Sequence, residues 1–296
     1  MDIIIEAPFN LGLIEPGPGM EPGVRFLPDA LNRLGFSGSL NITDVIRVEA
    51  PAYASVIDAD SGIRNLKEVD VYSRKLADTL EIQLRKHRSP LVIGGDCSLL
   101  IGIMLALKKL GKYGLFFIDG HTDFITVEQS ASAAIAGMDL AIVAGLGHEG
   151  LTNIDGSRPY VDEDAIFCYG NREYDEVYEA PIKNSRVGYY PLDEIRKSGI
   201  SKIANRFLTM TDANGLDGFW IHLDVDVLDD AVMPCVDSRN PGGLSYDELK
   251  QTLKPLLASP KFAGMDITIL DPTMDVDGTI VDRFVEEMVA VLNRNE

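Results

Sequence analysis

Short apolar runs alternate with longer amphipathic stretches along most of this chain. Residues 2–6, 44–50, 90–95, 113–120, 165–170, 187–190, 219–226 and 262–270 are compact and mostly apolar, and they predict strands. Between them, 24–35, 62–87, 98–111, 246–258 and 279–294 repeat apolar residues at helical spacing. The stretch 130–147 is rich in small residues and also helical in pattern. The most polar region, 148–185, reads as loops around one strand. Alternation of this kind predicts an α/β fold, a mainly parallel sheet between two helical layers. No linker, repeat or low-complexity tract interrupts 1–296, so one domain is expected.

Composition narrows the function. Of the residues, 46% are hydrophobic, enough for a substantial core. The formal net charge is −19, from 46 acidic and 27 basic residues, which argues against nucleic acid or an anionic membrane as partner. The same charge suits cationic substrates or metal ions, or serves solubility alone. Cys97, Cys168 and Cys235 show no CxxC spacing and read as reduced thiols of a cytoplasmic protein. The N-terminus has no basic start or long apolar run, and no stretch approaches the ~18 apolar residues of a membrane span.

In parallel sheets, ligands sit beyond the carboxyl ends of the strands, so the residues after each apolar run carry the chemistry. Three of those ends are acidic: "LVIGGDCSLL" (91–100), "FFIDGHTDF" (116–124) and "WIHLDVDVLDD" (220–230). Carboxylates brought together in an apolar setting are costly unless a cation compensates them. Singly, each aspartate could cap a helix or turn. Jointly, Asp119, His121, Asp123, Asp224 and Asp226 point to metal, with too many donors for one structural zinc and enough for two ions sharing carboxylates.

These stretches resemble the signature motifs of the arginase, or ureohydrolase, family, which includes agmatinases and formimidoylglutamases: GGDHS, DAHxD and SxDxDxxDP. Here they read GGDCS, DGHTD and HLDVDVLDD. The N-terminal region, "PGGLSYDEL" (241–249) and "GMDITILDPTMD" (264–275) extend the likeness over nearly the whole chain. The resemblance implies an arginase-type fold and two divalent ions, usually manganese. Asp119, Asp123, Asp224 and Cys97 would hold one ion, and Asp119, His121, Asp224 and Asp226 the other. Asp119 and Asp224 would bridge, and His121 and Asp123 stand at the reacting centre. The resemblance also implies a homo-oligomer, a trimer or hexamer, that acts on a small molecule.

The departures matter as much. Cys97 replaces a histidine ligand; a thiolate suits zinc or iron better than manganese, or the thiol merely fills space. Ala136 falls at the histidine of a His-Gly-x-Pro pattern, and Ile269 at a glutamate that grips guanidinium. His222 replaces a serine, and either supports a ligand from behind or is simply a buried histidine. His148, Glu149, Asp162, Asp164, Arg172 and Glu173 are polar candidates in the variable loops to replace the lost groups. The resulting expectation is a metal-dependent hydrolase of a C–N bond, with a substrate other than plain arginine. The alternative is a catalytically silent, metal-binding relative that binds ligands or regulates.

Overall fold

The computed structural model describes residues 1–293. Eight parallel strands form one sheet in the order β2-β1-β3-β8-β7-β4-β5-β6. They are β1 Ile3–Glu6, β2 Val45–Arg47, β3 Pro90–Ile93, β4 Tyr113–Ile118, β5 Ile166–Tyr169, β6 Gly188–Tyr190, β7 Gly218–Asp224 and β8 Phe262–Thr268. All but the edge strands are almost wholly buried, because helices cover both faces and every side chain meets a layer. Edge strand β2 is short and partly exposed, which limits pairing with another chain.

Alternation along each strand divides the core in two. Ile4, Ile93, Phe116, Ile221 and Ile267 pack toward the helices Leu27–Arg33, Ile200–Ala213, Tyr246–Leu257 and Thr279–Leu292. Ile5, Val92, Phe117 and Trp220 pack the opposite way, toward Leu66–Arg85, Leu99–Lys108 and Asp139–Val143. This is the three-layer α/β/α arrangement expected from the sequence. The helix Leu99–Lys108 is buried almost all round, which explains its weak amphipathic pattern.

Several elements differ from expectation. The helix Ile200–Ala213 and the shorter Leu192–Ser198 went unread, and Glu176–Lys183 lies within the region assigned to loops. Ile203, Phe207 and Thr211 face the core from Ile200–Ala213, a stripe too narrow to stand out among polar neighbours. The helix expected over 130–147 contracts to a turn, Ile135–Met138, and Asp139–Val143. Ser130 and Ser132 accept bonds from the N–H groups of Ala133 and Ala134, competing with helix formation. The last helix is seen as Thr279–Leu292; position 294 of that expectation, like the end of the 1–296 domain, lies outside the described residues.

Candidate metal centre

Register places the acidic strand ends side by side. Phe117, His222 and Asp266 are abreast on β4, β7 and β8, and Asp224 is abreast of Thr268. Asp119 follows β4 directly, Asp224 ends β7, and Asp226 sits in the turn after it. The GGDCS segment brings the fourth strand end in. Gly94 and Gly95 have φ of 132° and 68°, and a Cβ on either would stand 2.5 Å from a backbone oxygen of Ala7 or Phe9. That sharp turn carries Cys97 across β8 to β7.

The groups converge on the floor of a cavity of about 520 Å³, lined among others by Cys97, His121, Asp123, Asp224 and Asp226. The Cys97 thiol donates to Asp224 Oδ2 at 2.8 Å and lies 3.1 Å from Thr268 Oγ1. His121 Nδ1 is 2.9 Å from Asp226 Oδ2 and 3.5 Å from Asp119 Oδ1. Backbone N–H groups fix the carboxylates: Asp119 accepts from His121 at 2.6 Å, Asp224 from Asp226 at 2.7 Å, and Asp226 from Gly120 at 3.0 Å. Asp123 has φ of 43° and accepts from the Tyr178 hydroxyl at 3.3 Å. Asp119 Oδ2 is buried with no hydrogen-bond partner among the described residues.

Protonation behaviour follows from this crowding. Burial raises the pKa of Asp119, Asp123 and Asp224, and neighbouring carboxylate charge adds to it. Burial pushes Asp226 the same way, but the His121 ring and the Gly120 N–H outweigh it and hold Asp226 low. His121 is driven well up by Asp226 and Asp119 against the opposing effect of burial. The Cys97 thiol is raised by burial and then by the Asp224 charge. Buried oxygens without donors and carboxyls that resist ionisation are what a cation would relieve. The residues present therefore fit divalent metal.

Of the six expected ligands, Asp119, His121 and Asp226 offer atoms within 4.8 Å of one another. Cys97 and Asp224 touch, and Asp123 lines the same cavity. Ala136 and Ile269 line it too, so the family's histidine and glutamate are absent from the wall where they would act. Among the loop candidates, exposed Glu173 reaches the cavity, with Oε2 4.0 Å from His121 Nε2. His148 instead caps a turn at Gly150, and Asp164 pairs with Arg186. Arg172 is buried rather than solvated: it donates to the carbonyl oxygens of Asp226 at 2.6 Å and Asn240 at 2.8 Å.

Three residues escaped the sequence reading. Tyr178 braces the 122–123 backbone, its hydroxyl accepting from both N–H groups. Asp237 is exposed on the cavity wall, where enclosure and then the Asp226 charge raise its pKa to about 6 against the opposing His121 charge. Asp139 is fully buried with no well-formed hydrogen bond to either oxygen among the described residues, and burial followed by the Asp123 charge raises its pKa. Its signal was present, because Asp139 stands at the proline of the His-Gly-x-Pro pattern. Nothing in the sequence marks Tyr178 or Asp237.

Comparison with known proteins agrees with this fold. The arginase of Brevibacillus brevis is 31% identical over 278 residues, covering 92% of this chain and 91% of that protein. The arginase of Bacillus subtilis is 30% identical over 273 residues, covering 92% and 90%. The crystal structure of Bacillus caldovelox arginase superposes with a TM-score of 0.88 at 27% identity, covering 99% of this chain and 98% of that one. Residues 2–292 match the Arginase family as a whole. With the fold and nearly the whole length in agreement, this chain belongs to the arginase family.

Proposed function

We propose that this protein is a binuclear-metal hydrolase that cleaves a C–N bond of a small amidino- or amide-like molecule other than plain arginine. The supporting observation is the convergence of His121, Asp224 and Asp226 on one cavity floor, with a bare, buried oxygen on Asp119 directly beside His121 and Asp226. Asp119, Asp123, Asp224 and Cys97 would hold one ion, and Asp119, His121, Asp224 and Asp226 the other. When bound, such ions supply Lewis acidity that makes water a nucleophile near neutral pH. The chain's own groups bind, orient and move protons. Asp123, braced by Tyr178, faces the reacting centre, and Asp237 can exchange protons at the cavity wall. The acidic wall of Glu173, Asp237 and Asp123 suits a substrate with a cationic end. Ile269 offers no charge to a guanidinium, and Ala136 no proton.

The experiment is a turnover screen of the protein loaded with manganese, zinc or iron. Ammonia and urea release from guanidino compounds, formamide or ammonia from formimino compounds, and carboxylate from acylated amines are followed. Two equivalents of metal together with turnover of one such class is the expected result. Stoichiometric metal with no turnover of any class would favour the silent relative instead.

A further inference from the structure

His222 lies on β7 at full burial, on the same face as Asp224 and one pleat deeper. Its surroundings fix the ring tightly. Nδ1 bonds Asp266 Oδ2 at 2.6 Å, and the other oxygen of Asp266 accepts from Trp220 Nε1 at 2.6 Å. Phe117 stacks on the ring at 4.7 Å between centroids and 17° between planes. With Asp266 accepting from Nδ1, the free lone pair falls on Nε2, which is buried and has no hydrogen-bond partner among the described residues. A ring nitrogen of His222, the Cys97 sulfur and a carboxylate oxygen of Asp119 lie within 4.8 Å of one another.

We propose that His222 Nε2 is itself a metal ligand, joining Cys97 and Asp119, so that the first ion position is a sulfur–imidazole–carboxylate site for zinc or ferrous iron rather than manganese. The inference rests on the binuclear reading above and deepens it. Three observations converge. A bare imidazole nitrogen and the bare Oδ2 of Asp119 share one buried region, where each is costly without a partner. A carboxylate behind the opposite ring nitrogen is the arrangement that orients metal-bound histidines and makes them more basic. Thiolate with imidazole is a softer donor set than carboxylates with imidazole, and it moves preference from manganese toward zinc or iron. The two departures from the family motifs, histidine to cysteine at 97 and serine to histidine at 222, are thus linked: the lost imidazole returns from the neighbouring strand.

The test uses the full chain, stripped of metal and reloaded with zinc or with cobalt(II) as a spectroscopic probe. The native protein should show a thiolate-to-cobalt charge-transfer band and prefer zinc to manganese at this position. His222→Ser should weaken zinc binding there by at least about tenfold, a loss on the scale seen when a metal-bound histidine loses its support. Unchanged affinity in the folded variant overturns the inference. His222→Ser leaves one oxygen of buried Asp266 without its partner and could fail to fold, so a second measurement keeps His222 in place. In zinc-loaded His121→Ala, X-ray absorption should reveal one sulfur and one imidazole at zinc. His87 and His148 are exposed, whereas His222 is grouped with Cys97 and Asp119, which leaves His222 as the source. Sulfur without imidazole in that variant overturns the inference and leaves the binuclear reading standing. A native protein that takes up no ion overturns both.

Discussion

At the scale of single residues, the substitutions in the cavity wall decide what the protein can act on. Ile269 has φ of 74°, in the left-handed region that β-branched residues avoid. Its N–H donates to the Gly95 carbonyl at 2.9 Å, so the tie between the end of β8 and the GGDCS turn imposes the conformation. The residue's identity, and its loss of charge, were legible in the sequence; its strained backbone was not, because a hydrogen bond from a distant turn sets it. Ile269 and Ala136 are both buried wall residues without polar atoms in their side chains. We therefore expect kcat/KM on arginine and agmatine to stay below about 10⁴ M⁻¹s⁻¹ even with full manganese loading. The double variant Ala136→His/Ile269→Glu should raise arginine turnover by at least about tenfold, since a positioned proton donor alone contributes that much or more. Steady-state urea release checks both statements. Efficient arginine hydrolysis by the native protein would mean that other groups replace these two.

At the scale of elements, the candidate site depends on a space left open inside the sheet. Gly264 on β8 faces the Trp220 ring, and a Cβ there would collide with it and stand 2.7 Å from the Pro90 carbonyl oxygen. Trp220 in turn holds Asp266, and Asp266 holds His222. Gly264→Ala should therefore cost about 1–3 kcal/mol of stability through overpacking. It should also weaken zinc binding as His222→Ser does, although no cavity residue is touched. Calorimetric melting and zinc titration of the same sample test the link; a lower melting temperature with unaltered zinc affinity would break it. Arg172 joins the 226–228 turn to Asn240 through carbonyl oxygens alone. Arg172→Ala should remove about 2 kcal/mol or more by leaving those buried acceptors unpaired, measured by denaturant unfolding. The strands carrying these groups were readable because burial on both faces makes them continuous apolar runs. Arg172 was not, because a buried arginine satisfied by main-chain oxygens leaves no pattern in its own neighbourhood.

At the scale of the whole molecule, strand–helix alternation made the layers and the parallel sense legible, but not the strand order. β8, from the far end of the chain, lies between β3 and β7, and this brings Thr268 and Ile269 to Cys97 and Asp224. Local periodicity carries no information about such a placement. The assembled sheet edge then concentrates negative charge in a protein already at −19. A group whose folded pKa is raised stabilises the fold below its unfolded value and loses that contribution as pH climbs through the folded value. Asp119, Asp123 and Asp224 are all raised by burial and then by one another or Asp226, so from about pH 4 upward the metal-free protein should lose stability through them. Asp226, held low by His121, Gly120 and Arg172 against burial, works in the opposite sense but is one group against three. Bound cations remove the proton competition and stabilise by mass action, and their effect grows as the carboxyls ionise. The melting temperature of the stripped protein should thus fall between about pH 5 and about pH 8, while the metal-loaded protein holds its value, so the gap between them widens with pH. Asp123→Asn separates this cause from general charge repulsion. It removes one buried ionisable group, so the stripped variant should be more stable than the stripped native protein at the upper pH and show a shallower decline. The metal-loaded variant should be less stable than its native counterpart, because a donor is gone. Parallel declines in the stripped native and variant proteins would show that the acidic surface, not this cluster, controls the pH dependence.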